Sequence, residues 1–149
     1  MQPYTIEMQL RWSDEDRNGH VNNARFMTYS EDARLKWLAV MRHDLGTAGA
    51  GNGAILARQS CDYLAQVHVA TTPMIAIDTY VVRLGTSSVA LRQIVRDLAT
   101  DDWLADMAST LVCFDYRANS PAPFNDAERE WCLRYHLSED DAAALHQKG

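Results

Sequence analysis

Polar and apolar residues alternate from Tyr4 to Trp12, with Tyr4, Ile6, Met8, Leu10 and Trp12 on one side and Thr5, Glu7, Gln9 and Arg11 on the other. A period of two predicts a strand with one buried face. The next stretch, Ser13 to Asn23, is polar, rich in turn formers and reads as a loop. The period then changes. Phe26, Ser30, Ala33, Trp37 and Val40 recur three or four apart, which predicts a helix over Asn23 to His43 with one mostly apolar face. Asn22 or Asn23 supplies its N-cap, and His43 followed by Gly46 marks its end. Glu31 with Arg34, and Asp32 with Lys36, have the spacing of surface ion pairs on that helix.

Thr47 to Gly53, with Gly49, Gly51 and Gly53, is a glycine-rich linker. A phosphate cradle would follow a strand and open a helix, whereas this segment follows a helix. From Ala54 the chain reads as strands: Ile55 to Val69 in pieces, then Met74 to Leu84, Val89 to Asp97 and Trp103 to Tyr116. Short turns at Gly85-Thr86-Ser87-Ser88 and Thr100-Asp101-Asp102 make these antiparallel neighbours. After Ser120-Pro121-Ala122-Pro123, Asn125 with Glu128 and Ser138 with Asp141 start two short helices. The expected class is α+β: an antiparallel sheet of about five strands wrapped around one long central helix. Residues 1–118 form that unit and 119–149 a small helical tail. An exposed sheet edge would invite a second copy.

Composition narrows the function. The chain has 149 residues, 47% hydrophobic and 23% charged, with a net charge of -6. That balance argues against nucleic acid or an anionic membrane as a partner. No apolar run reaches the ~20 residues of a membrane span, and the N-terminus lacks a signal-peptide core. Cys61, Cys113 and Cys132 are an odd number at wide spacings, so neither a disulfide framework nor a metal site is expected. Reduced thiols fit a cytoplasmic location.

Chemistry-bearing residues concentrate just before the long helix: Asp14, Asp16, Asn18, His20, Asn22 and Asn23. A helix start offers unpaired N–H groups and a positive dipole end, which can hold an oxyanion forming on a carbonyl oxygen. A carboxylate just upstream can attack that carbonyl or take a proton from water. The same residues also serve as caps and turn formers, and Asp14 could pair with Arg11 or Arg17.

The string from Arg11 to Asn23, with the Ala24 to Leu38 segment carrying Tyr29, Glu31, Ala33, Arg34 and Trp37, resembles the hot-dog-fold thioesterases. It is most similar to the 4-hydroxybenzoyl-CoA thioesterase-like acyl-CoA thioesterases, and His20-Val21-Asn22-Asn23 also resembles plant acyl-ACP thioesterases. The resemblance implies a thioester hydrolase acting on acyl-CoA or an acyl-carrier protein, without metal or other cofactor, as a homodimer or homotetramer. It implies Asp16 as nucleophile or general base and the Asn23 backbone N–H as the donor to the thioester carbonyl. It implies Asn18 and His20 as further catalytic groups. Substrate binding would fall to Asn22 and to Ser87 and Ser88 of the hairpin turn. Plant-type members also use an acidic residue in the second strand, where this chain has a neutral residue around Gln66. Glu31, the helix glutamate that other members use, is available here. Met27, Tyr29 and Trp37 are candidates to line the acyl pocket, and Arg83, Arg92 and Arg117 to meet phosphates. A non-catalytic acyl-CoA sensor and a hot-dog dehydratase or hydratase are the alternatives on the same fold.

Overall fold

The first alternation ends earlier than the sequence predicts. The computed structural model describes residues 2–47 and 52–146, and in it the strand β1 is Tyr4–Gln9. Trp12–Asp14 is instead a turn of 3-10 helix, leaving Trp12 85% exposed. The cause is local competition: the Asp14 carboxylate accepts the Arg11 N–H at 2.9 Å, which pulls the chain off the ladder.

The long helix α1 is Asn23–Asp44, capped by Asn22 and followed by Gly46 at φ +66°. The strand β2, Asn52–Tyr63, runs unbroken along β5, Trp103–Asp115, apart from one bulge between Leu56 and Arg58. The sequence predicts pieces here because most of β2 is exposed, so no burial alternation marks it. Gly53 lies within this strand, whereas Gly49 and Gly51 fall outside the described residues. Val67 to Val69 is loop rather than strand. The strands β3, Met74–Leu84, and β4, Ser88–Asp97, form the predicted hairpin. Among the described residues the strands pair antiparallel in the order β1-β3-β4-β5-β2, with the two-residue β6, Ser120–Pro121, added to β5, and a single parallel bridge joins Val81 to His136 of the tail.

One sheet face wraps α1, which is the hot-dog arrangement. Two apolar clusters fill the interface. The first gathers Phe26, Tyr29 and Ala33 of α1 with Ile6, Ile77, Val95 and Met107. The second gathers Trp37, Leu38 and Met41 with Leu91, Leu111 and Trp131. Trp131 comes from the tail helix α2, Asp126–Leu133, whose Asn125–Glu128 capping box is formed as the spacing predicts. Its indole packs 5.5 Å from that of Trp37 and donates to Asp44 at 2.8 Å. The second tail helix is α3, Glu139–His146, preceded by Ser138, whose hydroxyl accepts the Asp141 N–H.

Between the clusters lies a polar layer that the sequence does not announce. Ser30 donates to Gln93 at 2.5 Å and accepts from Arg34 and Gln59. Gln93 in turn donates to the Ser30 carbonyl and to Thr79. Arg34 is therefore a buried residue rather than half of a surface pair with Glu31, and it is only 4% exposed. Neither Glu31–Arg34 nor Asp32–Lys36 forms a salt bridge among the described residues.

Candidate active site

The loop before α1 is a tight, cross-braced structure. Asp16 donates its N–H to the His20 carbonyl at 3.2 Å and its carbonyl accepts the Gly19 N–H at 3.0 Å. Gly19 sits at φ +83°, a conformation that side chains resist. His68 binds the Gly19 carbonyl through Nδ1 at 2.6 Å. A carbonyl only accepts, so that ring nitrogen carries the proton. The Glu15 side chain accepts the Val69 N–H at 2.7 Å, and Val21 donates to the Val67 carbonyl at 2.8 Å. The loop is thus pinned to the 67–69 segment at three points.

Both oxygens of Asp16 are engaged. Oδ1 accepts the Asn18 N–H at 2.7 Å, and Oδ2 accepts from the Asn22 side chain at 2.9 Å. These bonds, the Asn18 one first, hold the carboxyl below its ordinary pKa and keep it ionised. Asn22 uses its other atom, Oδ1, to cap Ala24 N–H at 2.9 Å. One asparagine therefore ties the carboxylate to the helix tip. The Asn23 N–H has no hydrogen-bond partner among the described residues and stands at the positive end of α1. A cleft of about 240 Å³ opens beside it, lined by His20, Asn23, Phe26, Tyr63, Gln66 and Val67 among others. Asp16 is on the same loop but is not one of the lining residues.

Asn18 reaches Asp16 through its backbone, and His20 is one of the residues lining the cleft, its ring 6.2 Å from that of His68. Asp14 is buried, accepts from the Arg11 backbone and faces Arg25 at 3.6 Å; it pairs with neither the Arg11 side chain nor Arg17. Tyr29 lies beside it, and burial followed by that carboxylate raises its pKa. Sequence reasoning missed Tyr63 and His68. Tyr63 donates to the Asn23 carbonyl at 3.1 Å and lines the cleft. Neither residue has a local spacing signal, because both reach the loop through tertiary contacts.

The structure does not bring Ser87 and Ser88 to this site within one protomer. The Asp16 loop follows β1 at the Met74 end of β3, and the turn lies past Leu84 at the other end. An 11-residue strand separates them, roughly 35 Å at the usual rise. That turn is held by the tail: Arg129 donates to the Gly85 carbonyl at 2.8 Å, and Phe124 N–H to Thr86 at 2.9 Å. Trp37 is fully buried in the second cluster and does not line the cleft, whereas Met27 is half-buried beside the first cluster. Arg92 is not free for phosphates: it pairs with Asp106 at 2.6 Å in a separate groove of about 490 Å³ on the outer sheet face.

The thioesterase-like superfamily matches residues 10–132. Among solved structures, the PA5185 protein of Pseudomonas aeruginosa PAO1 is 25% identical, with 91% of this chain and 92% of that one aligned at a TM-score of 0.79. The PA2801 protein of the same species is 29% identical, with coverage of 87% and 98% and a TM-score of 0.74. A Thermus thermophilus thioesterase solved with coenzyme A and zinc is 28% identical, with coverage of 90% and 94% and a TM-score of 0.73. No curated protein matches the chain. No helix among the described residues is long and apolar enough to cross a membrane. With a match spanning most of its length and the helix-wrapping sheet in place, the chain belongs to the thioesterase-like superfamily and is a thioester hydrolase of the hot-dog fold.

Proposed function

We propose that this protein hydrolyses acyl-CoA thioesters with Asp16 as the general base and the Asn23 N–H as the oxyanion donor. The observation that carries the reading is the Asp16–Asn22–Ala24 chain of hydrogen bonds. It couples an ionised carboxylate to the end of α1 where an unpartnered N–H stands. In this scheme the carboxylate takes a proton from water as the water oxygen bonds to the thioester carbon. Negative charge moves onto the carbonyl oxygen, where the Asn23 N–H and the helix dipole stabilise it. The C–S bond then breaks, and the thiolate leaves and is protonated. His20 orients the water from the cleft wall, and Asn22 is a positioning residue. Coenzyme A bound to the Thermus relative supports CoA as the carrier.

A long thioester needs both ends of the sheet, and one protomer separates them. We therefore place the carrier arm against the Ser87-Ser88 turn of a second copy. The exposed edge supports such a dimer: β2 is 12 residues long, and Ile55, Leu56, Tyr63 and Leu64 in and beside it are each at least 40% exposed.

The test is Asp16→Asn, assayed by thiol release from a panel of acyl-CoAs. Turnover should fall by at least about 10²-fold with the fold retained, the scale expected of a lost general base. Full activity in that variant removes Asp16 from the mechanism. Single-turnover hydrolysis in H₂¹⁸O distinguishes the base from a nucleophile: label entering Asp16 would show that the carboxylate attacks the carbonyl itself.

A further inference from the structure

The strand β2 has one side without a partner. It ends the order β1-β3-β4-β5-β2, so its outer backbone edge pairs with no strand among the described residues. The other end of the sheet, β1, is half as long, six residues against twelve. β2 contains no proline, and its bulge between Leu56 and Arg58 leaves residues 58–63 regular. An open, regular edge of this kind is a template for another chain.

The side chains of that stretch divide by face. Gln59, Cys61 and Tyr63 face α1: Gln59 bonds Ser30, Cys61 packs on the first cluster and Tyr63 bonds the Asn23 carbonyl. Arg58, Ser60 and Asp62 lie opposite Thr110, Ala108 and Asp106 of β5 and line the outer groove. All three are exposed, and neither Arg58 nor Asp62 forms a salt bridge among the described residues. They cannot pair within one chain, because four residues of strand hold them roughly 13 Å apart. The outer face of the edge thus presents a cation, a hydroxyl and an anion at even spacing, a pattern complementary to its own reverse.

A twofold axis supplies that reversal. In an isologous antiparallel pair the strand meets its own copy, and residues directly opposite share a face. The axis must then pass through a residue rather than between two. Placed at Arg58 or Asp62, it sets like charges opposite each other, which is destabilising. Placed at Gln59 or Cys61, it leaves each of these charges opposite a neutral residue. Among residues 58–62, only an axis at Ser60 sets Arg58 opposite the partner's Asp62, and does so twice.

We propose that two copies join antiparallel along β2 with the axis at Ser60, held by two Arg58–Asp62 pairs across it, and that this register completes the active site. The inference rests on the two-copy site proposed above and gives it a geometry. Ala54 and Gln66 are equally far from Ser60 in the chain, so the partner's Ala54 comes near the level of Gln66, which lines the cleft. Ala54 pairs with Cys113 of β5, whose N–H donates to the Ser87 carbonyl. The partner's Ser87 is therefore three strand spacings from this edge, roughly 14 Å, whereas the loop and turn of one protomer are separated by the length of β3. The carrier arm crosses from the cleft of one copy to the turn of the other over two strands.

The test is disulfide crosslinking of the full chain. In a Cys61→Ser background, Ser60→Cys should form an intermolecular disulfide on mild oxidation, because each introduced thiol meets its own copy at the axis. Arg58→Cys and Asp62→Cys should each stay uncrosslinked alone and crosslink once mixed and allowed to exchange subunits. Arg58→Asp sets two like-charge pairs across the axis and should weaken the dimer by roughly 10-fold or more, read by sedimentation equilibrium. At protein concentrations near the dissociation constant, KM for acyl-CoA should rise with it. Combining Arg58→Asp with Asp62→Arg restores opposite charges and should recover both. Failure of Ser60→Cys to crosslink, self-crosslinking of Arg58→Cys, or no recovery in the double variant overturns the register and leaves the thioesterase reading intact. A wild type that releases no thiol overturns that reading, and the crosslinks still decide the register.

Discussion

Asn22 joins a structural cap to the carboxylate proposed as the base, and substitution there separates the two contributions. Asn22→Ala removes both the bond to Ala24 N–H and the bond to Asp16. Loss of a cap costs about 1 kcal/mol, which lowers Tm by roughly 2–4 °C in a chain of this size. Loss of the second bond removes the second-largest cause holding the Asp16 pKa down, so that pKa rises. The proposed base works only when ionised, and activity falls as pH drops through its pKa. A higher pKa therefore moves the acidic limb of kcat/KM to higher pH. Asn22→Asp gives a different combination. Aspartate caps as well as asparagine and favours the helix dipole, so stability should stay near that of the wild type. Its charge faces Asp16, however, and a like charge raises that pKa further. The expected order of the acidic limbs is wild type, then Ala, then Asp, whereas the expected order of Tm puts Ala lowest. The assays are thiol release across pH 3 to 8, about the range of an accessible carboxylate titration, and thermal unfolding at neutral pH. Coincident acidic limbs in all three proteins would refute the role given to Asp16 and its tie to Asn22.

Two further outcomes follow from the fold. Trp131→Ala should cost about 3–5 kcal/mol, because the indole is fully buried against Trp37 and Tyr135 and donates to Asp44; calorimetry should find Tm lower by about 10 °C or more. Burial raises the Cys113 thiol to about 11 and the Cys132 thiol to about 12, so both should resist Ellman's reagent at pH 8 until guanidinium unfolds the chain. Rapid modification of either in the folded protein would contradict the packing described.

What the sequence made legible follows from where burial is one-sided. α1 was readable because its caps and its apolar stripe both lie within it, and Asn22, Asp16 and Asn23 fall together because they are close in the chain. β2 was not readable: exposed along most of its length, it has no alternation, and only its ladder to β5 defines it. The strand predicted to reach Trp12 stopped at Gln9 because a side chain, Asp14, captured a backbone N–H. Arg34 misled for a related reason. Its spacing from Glu31 is that of a surface pair, but it lies on the same buried face as Ser30 and Trp37, and only the sheet reveals that. Tyr63 and His68 reach the site across 40 and 49 residues of chain, a separation at which no local pattern operates.

The separation between Asp16 and the Ser87-Ser88 turn leads to the most discriminating test of the dimer. If each site combines the Asp16 loop of one copy with the turn of the other, two inactive variants can complement. Asp16→Asn removes the base. Ser87→Glu sets a bulky negative charge at the half-buried turn, in the way of the carrier arm proposed to lie there, while leaving its carbonyl bond to Cys113 N–H in place. In a mixed dimer one site carries both defects and the other carries neither. Random re-pairing makes half of the dimers mixed, so about one quarter of wild-type activity per site should return on mixing. A site built within one protomer predicts no recovery, because every chain then carries its own defect. Recovery near one quarter, absent before the subunits exchange, would place the carrier arm across two copies of the chain, and a mixture that stays inactive after proven exchange would refute that arrangement.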